Sequence, residues 1–226
     1  MELAYIIQVR MNSKRLPGKV LKPIGGKPML QYLLESIQVC KHAGRLIVAT
    51  SHRDTDNPIA DYCAAMTVEC FRGSLVNVAS RYAEIIRQHR LDAFVRICGD
   101  SPLLDHRLVD QGVTLFTENR PDVVTNVLPR SYPRGQSVEV VNARTFTDTF
   151  KDMTTTSDLE HVTQYFYRHK NDFSIMNFSA SRDCAHIQLA VDDTADLDRT
   201  GAIVARLAGP HWKYEWENYI ALIDNN

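Results

Sequence analysis

No two cysteines in this chain have Cys-x-x-Cys spacing, and the five present, at positions 40, 63, 70, 98 and 184, make an odd set. Both facts argue against a closed disulfide framework and leave reduced thiols as the expectation. The eight histidines show no His-x-x-x-His or mixed Cys/His cluster of zinc-site spacing. No apolar run approaches the ~20 residues of a membrane span, and Met1-Glu2 leads directly into the first apolar run, so no leader is expected. A soluble, cytoplasmic protein without membrane association follows as an expectation. Neither sign of charge is in excess: 26 Lys and Arg against 27 Asp and Glu give −1. That balance excludes the basic footprint of a bulk nucleic-acid binder, so any anion site must be local. Internal repeats and low-complexity segments are also absent.

What is present begins with a pattern of alternating elements. The chain has 226 residues, of which 44% are hydrophobic, enough for one well-buried domain over 1–226 and short for two. Residues 3–7 are nearly continuously apolar, as in a strand buried on both faces. Met29, Leu30, Leu33, Leu34 and Ile37 recur at helical spacing, and 45–50 reads as a second buried strand. Further on, 59–66 and 76–89 read as helices, 67–71 and 93–98 as strands. Such alternation predicts an α/β fold with a mixed, mainly parallel sheet flanked by helices. In the second half, 122–127 and 137–141 read as strands around an irregular Pro/Gly-marked loop at 128–135, expected to cover a substrate. Residues 159–169 are amphipathic, 173–179 alternate like a strand, and 187–191 lead into Asp192-Asp193 and another helix.

The first strand runs into Gln8-Val9-Arg10-Met11-Asn12-Ser13-Lys14-Arg15-Leu16-Pro17-Gly18-Lys19. Here Arg10, Arg15 and Lys19 can neutralise phosphate, while Asn12, Ser13 and the Gly18 backbone supply donors. A basic loop by itself is ordinarily solvated surface. The spacing is not that of a Walker loop, and Gly25-Gly26-Lys27-Pro28, which also lacks it, reads as the turn into the first helix. After the strand at 93–98, Gly99-Asp100-Ser101-Pro102 sets a carboxylate at a strand's carboxyl end, where open parallel sheets bind ligands and where an aspartate suits Mg²⁺ on phosphates. Asp54-Thr55-Asp56 has the form of a metal-binding pair, but Asp56 is expected to cap the next helix.

Arg-x-x-Ser-x-Arg-Leu-Pro-Gly-Lys, from Arg10 to Lys19, resembles the signature loop of the cytidylyltransferases that make CMP-activated sugar acids: CMP-Kdo synthetases, CMP-sialate synthetases and the SpsF-like spore-coat-polysaccharide branch. Further elements follow in family order. Gly99-Asp100-x-Pro102 and Val191-Asp192-x-x-x-Asp196-Leu197 resemble the family's metal motifs, which implies Mg²⁺ on Asp100 and Asp192, with Asp196 in a helix's first turn. The segment 71–82 resembles the SpsF-like nucleotide segment and implies contacts from Arg81 and, more weakly, Arg72. Around the acceptor, the resemblance points to Arg134 for a carboxylate, and to Glu139, Glu160 and His161. It further implies a nucleotide-diphospho-sugar-transferase fold, CTP and an acidic sugar as substrates, and a homodimer. The implied reaction is CMP transfer from CTP with release of pyrophosphate, in surface polysaccharide or glycan biosynthesis. Arg10, Arg15 and Lys19 would hold the triphosphate and stabilise the departing group. Cys98 stands where CMP-Kdo synthetases have Gln, which leaves the acceptor open, a phosphorylated or phosphonate compound included. Two rivals are a glycosyltransferase using a nucleotide sugar, with Asp54 and Asp56 as its metal pair, and a non-catalytic nucleotide-binding regulator.

Overall fold

The structure is a computed structural model that describes residues 1–224. Four strands with apolar or mixed sequences lie side by side and parallel: β1 (Leu3–Gln8), β4 (Arg45–Ser51), β5 (Glu69–Gly73) and β6 (Ala93–Cys98). Between β1 and β4 the chain makes a hairpin of β2 (Pro23–Ile24) and β3 (Lys27–Pro28), with Gly25 and Gly26 at φ 52° and 92°. Positive φ at both central residues is the type I′ requirement that glycine meets without strain, and it delivers the chain into α1 (Met29–Gln38) as expected. Beyond β6 the sheet continues through β7 (Val123–Thr125), β8 (Glu139–Asn142) and β9 (Ile175–Asn177), in the order β5-β4-β1-β6-β8-β7-β9. Only β8 runs against its neighbours, antiparallel to both β6 and β7, so the sheet is mixed and mainly parallel.

Alternation along β1 divides the core between two faces. Tyr5, Ile7 and Val9 pack with α1, α4 (His106–Asn119) and the start of α9 (Trp216–Asp224), while Ala4 and Ile6 face the opposite core. That second core is filled from α3 (Val78–His89), α5 (Ala143–Phe150) and the short α6 (Thr156–His161) and α7 (Gln164–Arg168). At its centre Phe94 meets Phe146 edge-to-face at 5.3 Å between centroids. The remaining helices are α2 (Asn57–Ala65) after β4 and α8 (Thr194–Ala205) near the carboxyl end. Among the described residues no helix is long and apolar enough to cross a membrane.

Several elements depart from the sequence pattern, each for a local reason. The amphipathic stretch 159–169 is two helices, because Val162 at φ 53° breaks it and aims the Thr163 hydroxyl at Glu139, 2.7 Å away. The strand expected at 122–127 stops at Thr125. There the Asn126 side chain takes over the ladder, donating to the Gln136 carbonyl and accepting from the Val138 amide. Residues 187–191 form no strand, only a parallel bridge of Gln188 with Arg134. Helices α4, α5 and α9 had no counterpart in the sequence reading.

His211 fastens the carboxyl-terminal segment to α1. It is 3% exposed, and its Nε2 donates to the Tyr32 carbonyl at 2.8 Å and lies 3.1 Å from Ser36 Oγ. Burial lowers its pKa to about 4, below the ordinary 6.5, so the native state holds it neutral where the unfolded chain protonates it. The stabilisation is therefore complete above pH 6.5 and lost as pH falls toward 4, about 2 kcal/mol of it between pH 7 and 5. Urea unfolding at the two pH values checks this: the wild-type chain should lose about that much more stability than His211→Gln, which cannot titrate.

Candidate active site

Strand β1 ends at Gln8, and the chain then turns through a loop closed on itself. The Met11 carbonyl accepts from both Ser13 N at 2.9 Å and Gly18 N at 2.8 Å, and Gly18 takes φ 71° to make that closure. Leu16 is buried beneath the loop. A further backbone donor, Met11 N, reaches the Asp56 carboxylate at 2.7 Å. Asp56 is 1% exposed and also accepts from the Ser51 amide and hydroxyl, so it joins the loop to the end of β4. It occupies the cap position of α2, yet its side chain caps no helix amide, and the expected capping role is corrected accordingly. A carboxylate so enclosed has no free oxygen for a metal, which removes the Asp54–Asp56 pair from consideration.

The loop's cations face acids on the opposite wall. Arg10 pairs with Glu160 of α6 at 3.1 Å, and Arg15 pairs with Asp192 at 2.8 Å. Lys19, the least exposed of the three, donates to the Val191 carbonyl at 2.6 Å, with its ammonium 3.6 Å from Asp192 and 3.9 Å from Asp100. The acidic segments are joined by their backbones, Val191 N donating to the Asp100 carbonyl at 2.8 Å. Asp192 is in turn oriented by Asp196, which lies in the first turn of α8 and accepts the Asp192 amide at 2.9 Å. Two carboxylates far apart in sequence thus meet at one ammonium, Asp100 just past the carboxyl end of β6 and Asp192 just before α8.

These groups border a cavity of about 550 Å³. Arg10, Ser13, Arg15 and Lys19 line one side; Asp100, Asp192, Glu160 and His161 line the other. Asn12, Gly18, Arg72 and Arg134 do not border it. Arg72 donates instead to the carbonyls of Ser51 and Arg53, and Arg134 is exposed beside the chain at 187–189. The loop 128–135 therefore does not cover the site as expected. Arg81 borders the cavity but is 2% exposed, its guanidinium held by the carbonyls of Ser74, Ala49 and Leu75. It shapes the turn before α3.

Glu139 is corrected more sharply. It is buried on β8, where it pairs with Arg96 and accepts from Thr163 and Tyr167. Burial opposes its charge, but Arg96 and the two hydroxyls outweigh that and hold its pKa below the ordinary value. Its oxygens are spoken for and offer nothing to a sugar. Sequence reasoning passed over Gln8, Lys14 and Arg96, which line the cavity together with Cys98. The available signal was a charge inside an apolar strand, Arg96 in Ala-Phe-Val-Arg-Ile-Cys. Burial pushes the Cys98 thiol up to about 11, so it is a neutral wall at physiological pH.

A sequence profile of the cytidylyltransferases matches residues 4–202, from β1 into α8. The chain belongs to that family. Membership makes it a CTP-dependent nucleotidyltransferase. It is 28% identical over its whole length to the spore coat polysaccharide biosynthesis protein SpsF of Bacillus subtilis, 95% of which is covered. It is 33% identical to the 3-deoxy-manno-octulosonate cytidylyltransferase of Chlorobium chlorochromatii, over 57% of this chain and 52% of that one. Among solved structures, a cytidylyltransferase from Leptospira borgpetersenii superposes with a TM-score of 0.94 at 26% identity, covering 100% of this chain and 95% of the other. The expected family and fold class are both as the sequence indicated.

Asp56 gives the sharpest local test of this cytidylyltransferase's loop. Asp56→Ala leaves the Met11 amide and the Ser51 groups without their acceptor, a loss of about 1–3 kcal/mol for each buried group left unpaired. The variant should remain folded at 20 °C but bind CTP at least tenfold more weakly by calorimetry, although Asp56 does not border the cavity.

Proposed function

We propose that the chain transfers CMP from CTP to an acidic sugar, releasing pyrophosphate, in the assembly of a surface polysaccharide. The observation that carries this reading is the convergence of a basic loop and two carboxylates on one cavity, with Lys19 in reach of both acids. The names of SpsF and of the Chlorobium enzyme support the polysaccharide context and the sugar acid, respectively. The reaction joins an acceptor oxygen to the α-phosphorus and breaks its bond to the bridging oxygen of pyrophosphate, while the acceptor's proton leaves to solvent.

The chain's residues divide that work by charge. Arg10, Arg15 and Lys19 would exchange their present acid partners for triphosphate oxygens. The exchange is inexpensive, because exposed pairs such as Arg10–Glu160 contribute little, roughly 0–1 kcal/mol. As the cations turn to phosphate, Asp100 and Asp192 are left as hard oxygen donors facing the same space. That donor set suits Mg²⁺, which binds through one or two carboxylates and fills its other positions with water and phosphate oxygens. When bound, Mg²⁺ would polarise the phosphoryl oxygens and offset charge on the departing pyrophosphate. Asp196 and Ser101 keep the two acids in place, through the Asp192 amide and a 3.0 Å bond to Asp100.

Pyrophosphate release tests the reading directly. With Mg²⁺ and a panel of 3-deoxy-manno-octulosonate, N-acetylneuraminate and neutral mannose, CTP should outperform ATP, GTP and UTP, and an acid should be required. Release with mannose but with neither acid would overturn the acidic acceptor. Asp100→Asn and Asp192→Asn should each lower kcat at least 100-fold with unchanged circular dichroism. Near-wild-type turnover at low Mg²⁺ would remove that residue from the metal site.

A further inference from the structure

The floor of the cavity carries two N–H donors that the chemistry above does not use. The β1–β6 register sets Ile6 beside Arg96 and Gln8 beside Cys98, so Gln8, Arg96 and Cys98 project from the sheet face that α6 and α7 cover. Arg96 is 10% exposed and borders the cavity. Its Nη1 is engaged by Glu139, and its Nε donates to Gln8 Oε1 at 3.1 Å. Since Nε can only donate, the amide oxygen of Gln8 must face it, and the Tyr82 hydroxyl donates to the same oxygen at 3.1 Å. The Gln8 amide is thereby fixed with its nitrogen turned the other way. Neither Gln8 Nε2 nor Arg96 Nη2 has a hydrogen-bond partner among the described residues, and neither is sealed from the cavity.

We propose that Arg96 and Gln8 anchor the carboxylate of the acceptor, Nη2 and Nε2 each donating to one of its oxygens while the basic loop holds the triphosphate; this rests on the acidic-acceptor reading above. Position supports it first. The loop's cations lie beyond the end of β1, whereas Arg96 sits farther back, on the β8 side of the sheet, beneath His161 and Thr163. A sugar acid bound against Asp100 needs a cation that CTP leaves unclaimed, and Arg134 lies outside the cavity. Charge supports it second. Arg96 and Glu139 cancel, but Arg130 adds a further guanidinium near Glu139, held by Ser137 Oγ at 2.9 Å, so the group keeps one positive charge in excess. Geometry supports it third, because two adjacent donors with fixed orientation match a carboxylate, and Glu139 with its two hydroxyl partners keeps the guanidinium from swinging.

Two variants of the full chain test this. Gln8→Glu retains the oxygen that Arg96 and Tyr82 use and replaces only the outward NH₂ with an anionic oxygen. Arg96→Lys keeps a cation for Glu139 but removes Nη2. Thermal-shift titrations in Mg²⁺ and a non-hydrolysable α,β-methylene CTP analogue, with 3-deoxy-manno-octulosonate and N-acetylneuraminate as probes and mannose as the neutral control, give the readout. In both variants the half-maximal acid concentration should rise at least tenfold, with the analogue's own titration within twofold of wild type. Unchanged acid titrations would overturn the anchor and leave the acidic acceptor standing. A parallel loss of the CTP analogue would assign the pair to the nucleotide and also overturn it. If neither acid shifts the wild-type chain, the acidic-acceptor reading fails and the anchor with it. Unfolding of both variants would make the pair a determinant of the fold and overturn its binding role.

Discussion

The site depends on how closely β6 leaves the sheet beside β1. Gly99 N donates to the Gln8 carbonyl at 3.0 Å, and a Cβ on Gly99 would lie 2.2 Å from Val9 Cγ1 and 2.9 Å from that carbonyl oxygen. Only a residue without a side chain allows the two strands to stay paired to their ends and then diverge. The divergence places the basic loop on one side of the opening and Asp100 on the other. A larger residue there would force the strand ends apart before the loop could meet its acids. Overpacking of this kind typically costs about 1–3 kcal/mol, and here the strain would fall on the rim of the cavity.

Around that opening the chain balances its charges across the cavity. Arg10, Arg15 and Lys19 each have an acid partner on the far wall, so a strongly basic loop coexists with a net charge of −1 for the whole molecule. The pairs differ in exposure. Arg15 is 64% exposed and Lys19 only 12%, so solvent screens the Arg15 pair far more than the Lys19 pair. On the proposed reading, a triphosphate entering the cavity would meet cations already oriented by their own counter-ions, and its binding would free carboxylates rather than leave cations bare.

Much of this was legible from sequence where one residue's chemistry sufficed. The continuous apolar runs of β1, β4 and β6 identify buried strands, and β6 has the bounds expected of it, Ala93–Cys98. The cations of the loop and Asp100 stand out by charge and by position after a strand, whereas Asp192, which follows no strand, is singled out by the family resemblance of its motif. What sequence conceals is partnership. Glu139 and Arg81 look like ligand-binding groups until burial gives them protein partners, and nothing in the sequence shows that Arg96, paired with Ile6 in the sheet, reaches the Gln8 side chain on the same face. Nor does a four-residue strand carry a sign of its direction, so the reversal at β8 emerges only from pairing. Helix α4 had a signal in Asp105, whose carboxylate accepts from Arg107 N, ahead of Leu108, Val109, Val113 and Phe116 at helical spacing.

Lys19 and the Val191 carbonyl it grips are 172 positions apart, and that separation bears on how the molecule is born. The basic loop leaves a ribosome well before the acidic segment near Asp192. Strands β1, β4, β5 and β6 pair from sequences completed by Cys98, so much of the parallel half of the sheet can assemble while the far wall of the cavity is still unsynthesised. Contacts of such long range form late, since closing the intervening chain costs entropy before any contact repays it. A nascent chain therefore carries the basic loop for a time without the segment at 191–192 that Lys19 and Arg15 hold in the folded molecule.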